Sequence, residues 1–70
     1  MAEVTAPQAA EIIGKSVMTI HRKVEDGVLP ARQEGTGERR FTFIEVETLR
    51  QFAAKYGYRF DEKAAAQYSK

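Results

Sequence analysis

Between Thr5 and Gly27 only Gly14 and Lys15 separate two helical patterns, so the two helices must pack on each other across a tight turn. Thr5 and Gln8 stand three apart as in a capping box. Pro7 is tolerated in a first turn, where its missing N–H would have no intrahelical partner. The first helix is expected over about 6–13. Its apolar Ala9, Ala10, Ile12 and Ile13 leave Gln8 and Glu11 outside, and Gly14 supplies the positive φ of an abrupt stop. Ser16 is a good N-cap for a second helix over about 17–26, which Gly27 ends. In that helix Val17, Ile20 and Val24 recur at i, i+3 and i+7 as one apolar stripe towards the first helix. The opposite face carries Met18, Thr19, Arg22 and Asp26, with Lys23 and Glu25 at its margins. Ala10, Gly14 and Ile20 thus supply a small residue where the helices cross, a turn glycine, and an apolar residue locking one helix on the other. This is helix-turn-helix spacing, which makes the outer face of the second helix a candidate reader of the major groove of duplex DNA.

Val28, Leu29 and Pro30 then form a short apolar connection, and Pro30 argues against more helix. A small hairpin, a wing, is expected over about 31–41, its arms flanking the turn composition of Gly35-Thr36-Gly37-Glu38. Gly35 and Gly37 lack the Lys-Ser/Thr and following helix of a phosphate-binding loop. Thr42 and Glu45 read as a second capping box and Phe41 with Val46 as a hydrophobic staple, which predicts a third helix over about 43–56 closed by Gly57. Val46, Leu49, Phe52, Ala53 and Tyr56 share its apolar face, and Phe43 and Ile44 miss it. Asp61 can cap a short last helix over 62–68, formed if Phe60, Ala64 and Tyr68 find something to pack on. The reading is therefore mainly α with a small β-hairpin: a winged helix-turn-helix over 1–57 and a C-terminal packing or oligomerisation extension over 58–70.

Seventy residues make one small domain, and such a core leaves only about 3–5 kcal/mol of net stability. There is no Cys and one His, His21, so no zinc cluster or disulfide framework can be built, and no cofactor is expected. No apolar run reaches the roughly 18 residues of a membrane span, and no signal-peptide pattern opens the chain. A soluble, cytoplasmic, nucleoid-associated protein is expected. Lys+Arg number 11 against Asp+Glu 10, a net charge of +1, so attraction to an anionic polymer must come from local sorting of charge. Basic residues do cluster at His21-Arg22-Lys23 and Arg39-Arg40.

The segments Thr5-Ala-Pro-Gln-Ala-Ala-Glu-Ile-Ile-Gly, Ser16-Val-Met-Thr-Ile-His-Arg, Gly27-Val-Leu-Pro-Ala and Gly37-Glu-Arg-Arg-Phe resemble the excisionase-type branch of the MerR-like winged-helix superfamily. The resemblance covers about residues 3 to 56. It implies a helix-turn-helix in the major groove, a two-stranded wing in an adjacent minor groove and a third helix packed behind. Two departures stand out. Lys23 occupies a position where many relatives carry an aromatic, and the dimerising coiled coil and effector domain of the larger MerR regulators are absent, so ligand sensing by this chain alone is not expected.

On the second helix, Arg22 is the leading base reader, because a guanidinium can pair bidentately with guanine O6 and N7. Met18 and Thr19 face the same way and offer apolar and hydrogen-bonding contact. Lys15, Ser16 and Lys23 are placed for phosphates, with Ser16 first of all a cap, and Gln8 is a further contact candidate on the first helix. His21, at the edge of the buried stripe, reads as packed or phosphate-bonded rather than catalytic. Thr36, Arg39 and Arg40 are the wing candidates. No nucleophile, base and orienting group come together, so no enzyme is expected.

Double-stranded DNA is thus the expected partner, with the chain acting as a small transcriptional regulator. Two other roles use the same chemistry. One is an excisionase-like directionality factor that bends DNA and recruits an integrase. The other is the recognition module of a packaging or partition assembly, for which Phe43, Ile44, Phe60 and Tyr68 would be the docking residues. The near-neutral charge limits a lone protomer to about four to six phosphate contacts, so self-association on DNA is expected.

Overall fold

The structure, a computed structural model, describes residues 2–35 and 41–69. Within them four helices and a three-stranded antiparallel sheet follow in the order β1 (Glu3–Thr5), α1 (Ala6–Ile13), α2 (Val17–Glu25), β2 (Arg32–Glu34), β3 (Phe41–Glu45), α3 (Val46–Tyr56) and α4 (Glu62–Tyr68). The helix pair forms as its local chemistry dictates. Thr5 caps α1 in a reciprocal box: the Gln8 amide donates to Thr5 Oγ1 at 3.4 Å, and the Thr5 amide donates to Gln8 Oε1 at 3.0 Å. Gly14 ends α1 in the left-handed region at φ 70°, which lets the Lys15 amide reach back to the Ala10 carbonyl at 2.9 Å. Ser16 caps α2, accepting from the Thr19 amide at 3.2 Å. Gly27, at φ 78°, turns the chain so that Leu29 enters the core.

The sheet departs from expectation. Strand β3 is central, in the order β1-β3-β2, with Val4 opposite Ile44 and Arg32 opposite Phe43. The third helix therefore begins at Val46 and not at 43, and Thr42 and Glu45 form no capping box. Residues 41–45 obey a period of two instead: Thr42 and Ile44 point inward, while Phe41 is 57% exposed and staples nothing. Aromatic and β-branched residues suit a pleated surface, and pairing on both sides outweighs a local capping signal. The first amide of α3, which has no partner within the helix, finds one on β1's side: the Val46 N–H donates to the Ala2 carbonyl at 3.0 Å.

One core collects Val4, the inner faces of α1 and α3, Ile20, Leu29, Ile44 and Ala65. In α2 the inward stripe is narrower than expected. Ile20 is fully buried and Val24 packs on the core, but Val17 is 37% exposed. Phe60 and Tyr68 also pack on the core, and Phe43 lies under the Arg32 guanidinium, 4.7 Å from its centroid. The four apolar residues that sequence left over for a docking role are thereby accounted for within the fold.

Helix α4 is tied to α1. The Asp61 amide donates to the Ile12 carbonyl at 2.9 Å, Asp61 Oδ1 caps the Ala64 amide at 3.1 Å, and Ala65 is buried. Further along, the Tyr68 hydroxyl donates to the Glu11 carboxylate. That hydrogen bond, with burial and the charges of Glu11 and Asp61 behind it, pushes the Tyr68 phenol above its usual range. A group whose folded pKa is raised lends its stability fully below the unfolded value, about 10, and loses it as pH climbs through the folded one. Glu11→Gln should therefore lower the Tyr68 ionisation midpoint followed by ring NMR shifts. An unchanged midpoint would mean that α4 is not latched to α1 through this bond.

Candidate nucleic-acid interface

Helix α2 keeps an open outer face. Of its nine residues Ile20 alone is fully buried, and Met18 is 68% exposed. Residues 18 and 22 stand one turn apart, so Met18 and Arg22 share the face turned away from Ile20 and Val24. Nine residues at about 1.5 Å each make a rod roughly 13 Å long and 10–12 Å across, the calibre that a major groove about 12 Å wide admits. The cap at its start holds two candidates in place: Ser16 Oγ lies 3.0 Å from Thr19 Oγ1 as well as receiving the Thr19 amide. Gln8 is committed in part to its own capping box.

Consecutive helical residues lie about 100° apart, so His21 and Lys23 mark the two flanks of Arg22. On the first flank His21 is exposed and borders a shallow groove of about 240 Å³ with Thr5, Ala6, Pro7, Phe41 and Thr42. The base of β3 therefore stands beside α2 on this side. On the other flank Lys23 places its ammonium 5.4 Å from the centroid of the Tyr56 ring, and Lys15, just before the cap, sits 4.8 Å from that of Tyr58. The two tyrosines stack on each other at 6.0 Å, and Lys55 lies 5.7 Å from Tyr56. Arg59 runs along the turn between α1 and α2, with its Nε 2.8 Å from where a side chain on Gly14 would begin.

The charges are sorted. Arg32 joins Glu3 at 2.7 Å and also Glu34, and Arg50 joins Glu62 at 2.9 Å and also Glu47. Hydrogen bonds to these arginines hold the Glu3 and Glu62 carboxyls below the usual range, and the guanidinium groups are raised in turn. Each arginine thus takes up two carboxylates, which leaves one net negative charge on the sheet and one between α3 and α4. By contrast Lys15, Arg22, Lys23, Lys55 and Arg59 form no ion pair among the described residues. A chain of net charge +1 can in this way present cations along α2 and its neighbouring edge that no ion pair engages among the described residues, with Glu25 and Asp26 confined to the far end of the helix.

The wing candidates Thr36, Arg39 and Arg40 lie outside the described residues, as does Gly37. What is described of the hairpin is its paired stem, Arg32 to Glu34 against Phe41 to Phe43. Sequence reasoning passed over Lys55, Tyr56, Tyr58 and Arg59. The interleaving of base and aromatic in Lys55-Tyr56-Gly57-Tyr58-Arg59 is the available signal, masked because Tyr56 also fits the apolar face of α3 and Gly57 a helix stop. Among the described residues no group of three or more His, Asp or Glu is placed to hold a metal, and no helix is long and apolar enough to cross a membrane. Searches against protein-family models, curated proteins and solved structures find no match to this chain.

Proposed function

We propose that the chain binds duplex DNA as a winged helix-turn-helix module, with α2 in the major groove and the β2–β3 hairpin as the wing. The observation that carries this reading is the open outer face of α2, which centres on Arg22, a residue with no ion pair among the described residues, and is fixed at its start by a side-chain cap. A guanidinium so placed suits guanine O6 and N7, and Met18 offers apolar contact to a thymine methyl. The resemblance of Thr5–Gly14, Ser16–Arg22, Gly27–Ala31 and Gly37–Phe41 to the excisionase-type branch of the MerR-like superfamily supports the same reading.

Transcriptional regulation is the broader role and recombination directionality the narrower one, and each implies more than one copy on the DNA. The assembly-module role draws less support, because of Phe43, Ile44, Phe60 and Tyr68 the last three pack in or against the core. The deciding experiment is a gel-shift titration of fragmented genomic DNA with sequencing of the bound fraction. Promoter sites indicate regulation, sites flanking an attachment core indicate recombination, and the absence of any enriched duplex refutes the proposal.

A further inference from the structure

We infer that the lysine–tyrosine ridge beside α2 is a second phosphate track, which takes the backbone of the DNA strand on the side of α2 away from the hairpin. The inference rests on the duplex-binding reading of α2 and extends it to Lys55, Tyr56, Tyr58 and Arg59. Lys15 precedes α2 and Lys23 lies in its last turn, so the two ammonium groups bracket the helix along its length. The Tyr58–Tyr56 stack, supplied by the end of α3, spans the gap between them and holds each ammonium near a ring. An ammonium held over an aromatic face has fewer rotamers to lose when it meets a phosphate.

Geometry assigns the strand. A helix in the major groove has one phosphate backbone on each side. His21 and the foot of β3 occupy one flank of Arg22, and Lys23 with the tyrosines occupies the other. The hairpin therefore serves one backbone and the ridge the opposite one. Contacts of both kinds would fix the depth and register of α2 without carrying sequence information. Single-stranded nucleic acid is the poorer fit. Base stacking needs free ring faces, whereas Tyr56 and Tyr58 face each other at an interplanar angle of 25° and carry lysines besides.

The test is the salt dependence of binding to a mixed-sequence duplex. The triple variant Lys15→Gln/Lys23→Gln/Lys55→Gln should lower the slope of log K against log salt by about 2 to 3, one phosphate for each lysine. Its affinity gap to the wild type then widens roughly four- to eightfold each time the salt is halved. Preference among duplex sequences stays as in the wild type, and the corresponding triple Lys→Arg variant keeps the wild-type slope. Should the triple Lys→Gln chain fail to fold by circular dichroism, Lys55→Gln alone, at an exposed position, should lower the slope by about 1. An unchanged slope in a folded variant overturns the ridge and leaves the α2 reading standing, and that result also covers lysines that merely shield the rings. A wild-type chain that binds no duplex, or binds only single strands, overturns both.

Discussion

Ile44→Ala should remove most of the stability of this chain and leave a substantial unfolded fraction at room temperature. Ile44 is fully buried in β3, the central strand, which holds β1 on one side and β2 on the other. Truncating a buried isoleucine to alanine costs about 2–5 kcal/mol, the spread depending on how far the surroundings collapse into the cavity. A domain of this size has only about 3–5 kcal/mol to lose. Ile44→Val, which removes one methylene, should cost about 0.5–1.5 kcal/mol and keep the fold. Urea titrations followed by far-ultraviolet circular dichroism measure both. A loss under about 1 kcal/mol for the alanine variant would contradict the burial that places Ile44 in the core, because a surface position tolerates that change.

That residue also marks where local sequence stops being informative. The helix pair was legible because each of its signals acts within a few residues: Thr5 on Gln8, Gly14 on Ala10, Ser16 on Thr19. The same holds for α4, whose start depends on Asp61 and Ala64. β3 is different. Thr42-Phe43-Ile44-Glu45 carries the spacing of a cap and the composition of a strand, and the choice falls to residues 3–5, some forty positions away, which supply the second partner. A three-residue strand next to an N-cap gives no periodicity of its own to read. Once β1 is added, Ile44 passes from a leftover to the core, and Phe43 falls on the other face under Arg32.

The interface divides along the same line. Arg22 and Met18 could be placed on the outer face from their distance to Ile20 alone, because a helix converts spacing into direction. The ridge could not. Lys15 and Lys23 meet tyrosines more than thirty residues later in the chain, and only the tertiary fold, which sets the end of α3 and the turn after it beside α2, brings them together. Nor does the charge count help, since a balanced total conceals that Glu3, Glu34, Glu47 and Glu62 are spent on two arginines. Pairing is a tertiary property, and it decides which cations remain for a polyanion.

Arg22→Ala should flatten sequence preference at one base-pair position while leaving the chain folded. The side chain is exposed and forms no ion pair among the described residues, so the expected stability change is within about 0.5 kcal/mol and any binding defect belongs to the interface. A bidentate arginine–guanine contact is worth about 1–3 kcal/mol against the wrong base, so discrimination there should fall roughly 5- to 150-fold. Arg22→Lys separates geometry from charge. It keeps the cation but loses the planar fork, and should restore much of the overall affinity without the preference. Competition between an enriched site and its single-base variants reads both effects, and the ridge variants supply the opposite pattern, a loss spread evenly over all sequences. If Arg22→Ala ranks the variant sites as the wild type does, the reading face is wrongly assigned and lies elsewhere on α2 or on the hairpin. If it loses affinity uniformly, Arg22 is one more phosphate contact, and the preference must come from Met18, Thr19 or the shape of the DNA.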